Sequence, residues 1–491
     1  MSDVRIPTGV QGLDEIMNGG FLPASSYLIA GGPGTGKTVL GCQFLHENAL
    51  HKARCLYVTL SEPADAIRRN ASSFGWDSPE IVFADLGRTL THGTPEGEYS
   101  VFSPQEVESE PVWQALHRAV EDHHPDRMVI DSATCLLYLS ADPYQFRKQM
   151  QKLLQRLSEK GCVSLWLFEA GELQKDMSVA LATDGILLLT NEPSPSRVVE
   201  HRTIEVTKFR GSSFLSGRHP MRITSRGIVV WPHWIETLKK VPYERDILSS
   251  GVPSLDELLG GGLPAGGCTI LSGPSGVGKT TLAMQFLVTA ASQGKKSIFY
   301  TFEEAPASIL GRCREVGIRA EDRIEDGTLE VREINPLIQY PDEFLEAVRQ
   351  DTEKRGAQVF ALDSLKGYQL AMAEFGAVNA HVQNLVHYLR RRRASLFLVV
   401  EQERITGDIQ ISEVGVSYIS DNVLCIRYAE SSGEIIKVIH CLKKRLGAFQ
   451  PQLRELVITR EGIRVGEKLD RLRGVLTGIP EILDRPKAPE S

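Results

Sequence analysis

The chain contains itself twice, and this duplication constrains the fold more than any other feature. "GVQGLDEIMNGGFLPASSYLIAGGPGTGKT" begins at Gly9 and "GVPSLDELLGGGLPAGGCTILSGPSGVGKT" at Gly251, an offset of 242 that holds without a gap to Glu62 and Glu304. The match resumes at Asp131 and Asp363 with an offset of 232, so the first copy carries ten extra residues between these points. Their expected place is "RTLTHGTPEGEYSVFSPQEVESEP", residues 88–111, polar and rich in Gly, Pro and Glu. Such a segment reads as a solvated surface loop rather than a partner-binding or lid element.

Within each copy, short apolar β-rich runs alternate with helix-length stretches. The first has "YLIAG", "CLYVTL", "MVID", "SLWLF" and "GILLL"; the second has "TILSG", "SIFYTF", "VFALD", "SLFLVV" and "VLCI". Runs that are apolar throughout predict parallel strands buried on both faces. Each copy closes on a hairpin signal, "RITSRGIVV" and "LVITREGIRV". The expected architecture is two tandem α/β domains, 1–237 and 238–491, with mostly parallel sheets flanked by helices, joined through "PHWIETLKKVPYERD".

A formal charge of −7 argues against a surface that coats nucleic acid. The eight cysteines are scattered without metal-ligand spacing and read as small apolar residues of a reducing compartment. No eighteen-residue apolar stretch occurs, so no membrane span is expected and the chain reads as cytoplasmic.

Gly31, Gly32, Pro33, Gly34, Thr35, Gly36, Lys37 and Thr38 match a phosphate loop, as do Gly273, Pro274, Ser275, Gly276, Val277, Gly278, Lys279 and Thr280, followed by Thr281. Each octet follows an apolar strand and opens a helix, the context the motif requires. Glycines let backbone N–H groups close on phosphate oxygens, the lysine reaches the β- and γ-phosphates, and the Thr38 and Thr280 hydroxyls can ligate magnesium. Bound ATP and Mg²⁺ are therefore expected in both copies. Asp131 and Asp363 end apolar strands in step with these loops, as a residue holding magnesium through water would. An aspartate there could equally cap a helix.

"TLSE" at 59–62 answers to "TFEE" at 301–304. A carboxylate at this strand end, read as lying beside the phosphate loop, can polarise a water or hydroxyl for in-line attack on the γ-phosphoryl. The second copy offers Glu303 and Glu304; the first offers Glu62, with Ser61 in the other place. A serine cannot act as a base at neutral pH.

The duplication, both phosphate loops, "TFEE", "TKFRG" (207–211) and "LKKRL" (442–446) together resemble the KaiC family, double-domain RecA-like ATPases and autokinases of the cyanobacterial clock and their bacterial and archaeal homologues. The resemblance implies a homohexamer of two stacked rings with ATP at subunit interfaces, an ATPase first ring, and a second ring that phosphorylates itself. It carries over Lys208, Arg210, Lys443 and Arg445 as cations that reach the neighbouring subunit's ATP. It places the phosphoacceptor positions at Ser417 and Tyr418 in "VSYISD", where the first copy has Ala180 and Leu181 in "VALATD". Glu303 is then the base acting on Ser417, with Glu304 supporting it. A longer tail of the kind that engages KaiA is not expected, which argues against KaiA as a partner and leaves a KaiB-like or signalling partner open. A DNA-dependent ATPase on the same RecA-like core and a nucleotide-gated scaffold with little catalysis are the competing readings. "RRRR" at 390–393 reads as a solvated last helical turn, and "NEPSPSR" at 191–197 as a surface turn.

Overall fold

A strand such as Tyr27–Ala30, with no polar face to give to water, needs cover on both sides. The computed structural model supplies it. It describes residues 4–76, 78–87, 104–140, 142–175, 178–193, 200–233, 246–336, 338–372, 378–402, 418–431, 433–470, 472–473 and 481–482. The chain packs as two units, residues 1–234 and 235–491.

The first unit is built on β1 (Ser26–Gly31), β2 (Cys55–Thr59), β3 (Ile81–Asp85), β4 (Arg127–Asp131), β5 (Val163–Glu169), β6 (Gly185–Pro193), β7 (Glu200–Phe209), β8 (Arg218–Thr224) and β9 (Gly227–Val230). They form one nine-stranded sheet in the order β3-β2-β4-β5-β1-β6-β7-β8-β9. The strands from β3 to β6 run parallel, and β7, β8 and β9 return antiparallel. Alternate β1 residues enter opposite cores. Tyr27 and Ile29 pack with Phe44, Leu165 and Leu187, while Leu28 and Ala30 pack with Leu56, Met128 and Trp166.

The second unit opens with a small ribbon, β10 (Ile247–Leu248) and β11 (Leu263–Pro264), and repeats the plan. Its strands are β12 (Cys268–Gly273), β13 (Ser297–Thr301), β14 (Leu329–Glu333), β15 (Val359–Asp363), β16 (Ser395–Glu401), β17 (Asn422–Ser431), β18 (Glu434–Lys444), β19 (Arg454–Thr459) and β20 (Gly462–Lys468). The order β14-β13-β15-β16-β12-β17-β18-β19-β20 matches the first sheet strand for strand. The fold is therefore a tandem pair of RecA-like domains, each a mostly parallel sheet flanked by helices.

Two expectations change. The extra segment of the first copy is not loop throughout: residues 104–111 are the opening turns of a helix, Pro104–His123. Val112, Trp113, Leu116 and Val120 lay an apolar stripe on the core, and proline is tolerated at the first helical position. Residues 88–103 lie outside the described residues. "NEP" of the expected turn extends β6, and 194–197 lie outside the described residues. In "RRRR", as expected, Arg390 and Arg391 end a helix and Arg392 and Arg393 are exposed; Arg390 also pairs with Asp421 at 2.8 Å and Arg392 with Glu353 at 2.5 Å. Among the described residues no helix is long and apolar enough to cross a membrane.

Candidate functional site

Ligands of open parallel sheets bind beyond the carboxyl ends of the strands. In both units the residues singled out by the repeat gather at that edge. The phosphate loop leaves the end of β1, with Gly34 at φ 74° and Gly36 at φ 102°, left-handed values that favour glycine. A Cβ added at Gly32 or Gly34 meets nothing within 4 Å, so the loop faces open space. Helix Lys37–Leu50 starts immediately after it, and Lys279–Ser292 repeats the arrangement with Gly276 at φ 74° and Gly278 at φ 111°.

Thr38 Oγ1 donates to Asp131 Oδ2 at 2.7 Å, and Thr280 Oγ1 to Asp363 Oδ2 at 2.5 Å. A hydroxyl that gives its proton to a carboxylate keeps its lone pairs for a cation, so these pairs fit a divalent ion bound with a nucleotide. In the first unit the Tyr57 hydroxyl also donates to Asp131 Oδ2, at 2.6 Å. Burial and the Asp131 carboxylate push this phenol well above its ordinary value, so it remains a donor. In the second unit burial, with the charges of Glu304 and Glu303, raises Asp363 to about 6 against the pull of Thr280 and Lys279.

The lysines differ as well. Lys37 Nζ donates to the Gly31 and Gly32 carbonyls at 2.8 and 2.9 Å and pairs with Glu169 Oε1 at 2.9 Å. Lys279 Nζ donates to the Pro274 carbonyl at 2.7 Å, and burial lowers its pKa against the influence of Glu401, Asp363 and Glu303. Glu169 and Glu401 end β5 and β16 and share the 232-residue offset, a sequence signal that could have found them.

The "TLSE" and "TFEE" turns are shaped by their threonines. Thr301 Oγ1 bonds the carbonyl and amide of Glu304 at 2.7 and 3.1 Å; Thr59 does the same for Glu62 at 2.5 and 3.3 Å. Strand β13 is not beside the strand of its phosphate loop: β15 and β16 stand between β13 and β12, so the carboxylates approach across the end of β15. Glu304 forms a fork with Arg312, at 2.6 and 3.3 Å, whereas Glu303 accepts from the Ser364 hydroxyl. The first copy has Asn70 where Arg312 stands.

Lys208, Arg210, Lys443 and Arg445 lie elsewhere. Lys208 pairs with Ile186, level with Leu28, and Lys443 pairs with Val423, level with Ile270. Each is three strand residues, about 10 Å, toward the amino end from the start of its phosphate loop. There they hold the segment before β6 or β17. Lys208 Nζ donates to the carbonyls of Ala180, at 2.7 Å, and Thr183, and Arg210 to that of Leu181 at 3.0 Å. Lys443 donates to the Ser420 carbonyl and Arg445 to the Tyr418 carbonyl, each at 2.7 Å. Burial, then the adjacent arginine, lowers the pKa of both lysines. Among the described residues, no hydrogen bond joins Lys208 or Arg210 to residues 31–38. Tyr418 is 54% exposed beside them, and Ser417 lies outside the described residues.

A family profile described as "ATPase: KaiC" matches residues 6–234 and 248–470, one match per unit. The chain is 27% identical over 485 residues to a "Circadian clock oscillator protein KaiC" of Prochlorococcus marinus, covering 97% of this chain and 95% of that protein. Proteins of the same name from Parasynechococcus marenigrum and Thermosynechococcus vestitus are 27% and 26% identical, each over 97% of this chain and over 93% and 92% of their own lengths. With both halves matched and each carrying a phosphate loop joined to an acidic strand end, the chain belongs to the KaiC family of nucleotide-binding ATPases.

Proposed function

We propose that the protein is a hexameric ATPase and autokinase, with domains divided at 237/238, in which the second domain phosphorylates Ser417 and the first hydrolyses ATP. The observation that carries the reading is the opposition of the two sheet edges. In each unit the phosphate loop sits at the carboxyl end of the strands and the cation pair at the amino end. Neither pair can serve its own loop, so a complete site needs an adjacent copy. Exposed apolar side chains flank the cations on this edge: Leu181 in the first unit, and Tyr418, Leu442 and Leu446 in the second. Their exposure suits a surface covered by another subunit.

In the second domain, Gly273 to Thr281 hold the phosphates of ATP, and Lys443 and Arg445 come from the adjacent copy together with its Ser417. Glu303 takes the hydroxyl proton as the serine oxygen bonds to the γ-phosphorus. The bond from that phosphorus to the β,γ-bridging oxygen breaks, and ADP departs. Glu303 suits the base role because its side-chain partner is a neutral serine, whereas Glu304 is tied up by Arg312. Magnesium, held through Thr280 and Asp363 here and Thr38 and Asp131 in the first domain, supplies charge neutralisation at the phosphates. In the first domain Gly31 to Thr38 hold ATP, Glu62 orients water, and Lys208 and Arg210 act across the interface. Tyr418 carries a second, phenolic acceptor. The relatives are named as clock oscillators, which supports a timing or signalling role; a cytoplasmic location and a KaiB-like or signalling partner are part of the same proposal.

Phosphosite mapping after incubation with magnesium and ATP tests the kinase reading. Phosphate on Ser417 in the wild type and none in Glu303→Gln is the expected pair of results. ATP turnover without protein-bound phosphate in either would leave an ATPase scaffold and overturn the kinase assignment.

A further inference from the structure

The two copies run in register through β2 and β13, yet Tyr57 stands where the second copy has Phe299. Both rings are fully buried. A buried phenol needs a partner for its hydroxyl, and Tyr57 finds it on the neighbouring strand: β2 pairs with β4 so that Thr59 faces Asp131, and the ring two residues earlier reaches the same carboxylate. Packing against Phe83, at 5.5 Å between ring centroids, helps to hold the ring. The hydroxyls of Tyr57 and Thr38 both donate to Oδ2, at 2.6 and 2.7 Å. One carboxylate oxygen of Asp131 is thereby committed twice over, while among the described residues Oδ1 takes no hydrogen bond. Phe299 has no hydroxyl to give, and the side-chain hydrogen bond of Asp363 comes from Thr280.

We propose that Tyr57 is a positioning residue of the first site, fixing the Asp131 carboxylate for the hydrated divalent cation that accompanies the nucleotide. The inference rests on reading that site as a metal–nucleotide site. It makes the two sites unlike in a way that complements the turn residues. The first site has one carboxylate fewer, through Ser61, and one more donor holding the carboxylate that faces the metal. The second has the extra carboxylate and a less constrained Asp363. Groups that hydrogen-bond a metal's carboxylate ligands orient them, and their loss weakens metal binding about 10- to 100-fold.

The test is a Mn²⁺ titration followed by electron paramagnetic resonance on the full chain loaded with a non-hydrolysable ATP analogue. The first-site class is assigned as the one lost in Lys37→Ala. Tyr57→Phe should weaken that class roughly tenfold or more. It should leave the other class unchanged, and nucleotide affinity measured in EDTA unchanged too. A purely structural role would instead disturb nucleotide and metal together. An unaltered first-site class in folded Tyr57→Phe would overturn the proposal. Should that variant not fold, Phe299→Tyr provides the reciprocal arm: tighter Mn²⁺ in the second class is expected, and no change overturns the proposal. Wild-type protein that holds no Mn²⁺ at the first site would overturn the reading of the site itself, and the inference with it.

Discussion

Glu303 and Glu304 are adjacent in sequence and unlike in surroundings. Arg312 grips Glu304 with two hydrogen bonds, so that carboxylate is already spent on a cation, while Glu303 faces the Ser364 hydroxyl. Unequal effects of their substitution are therefore expected. Glu303→Gln should slow phosphoryl transfer by about 10²- to 10⁴-fold, the usual worth of a general base. Glu304→Gln should cost much less, and single-turnover kinetics on the two variants would show the difference; equal losses would contradict the division of roles. The pair itself was legible in the sequence because the copies could be compared position by position. Arg312 was not, since it enters from the helix Pro306–Glu315 eight residues later and has no counterpart in the first copy. Glu169 was not legible either, since a carboxylate at the end of an apolar strand is common and its role shows only once the fold places Lys37 beside it.

At the scale of elements, the buried parallel strands announced themselves by their apolar runs, and the closing hairpins by their turns. Strands β7, β14 and β18 did not, because each mixes polar with apolar residues: β14 lies at a sheet edge and is only partly covered, and β7 alternates. Strand β18 also buries a histidine. His440 is 6% exposed and neither ring nitrogen finds a partner among the described residues. Burial, then Arg427, lowers its pKa from 6.5 to about 4. A histidine whose folded pKa is depressed stabilises the fold above its unfolded pKa, and this contribution is lost as pH falls from 6.5 toward 4. The loss amounts to about 2 kcal/mol by pH 5. Urea unfolding of the whole chain at pH 7.5 and 5 should show a smaller drop in His440→Leu than in the wild type. An identical drop would mean that the ring is not held neutral.

For the whole molecule, the proposed function turns on each unit presenting a phosphate loop at one end of its sheet and a cation pair at the other. Activity should then depend on assembly. An Arg445→Ala chain, which keeps its own phosphate loops, should regain second-site activity when mixed with a Lys279→Ala chain, because the mixed interface pairs an intact loop with an intact arginine; two inactive parents and an active mixture is the expected outcome. The duplicated plan was readable from the repeat, and its cations from the family resemblance. Their placement at opposite ends of the sheet was not, because strand register is a property of pairing that a single chain's periodicity does not encode. Following γ-labelled ATP in wild type and Lys279→Ala, with label on protein and label in free phosphate counted in parallel, tests whether the two sites perform different chemistry. Lys279→Ala is expected to lose the protein-bound label and still release phosphate from the first site. Protein-bound label that persists in Lys279→Ala would contradict it.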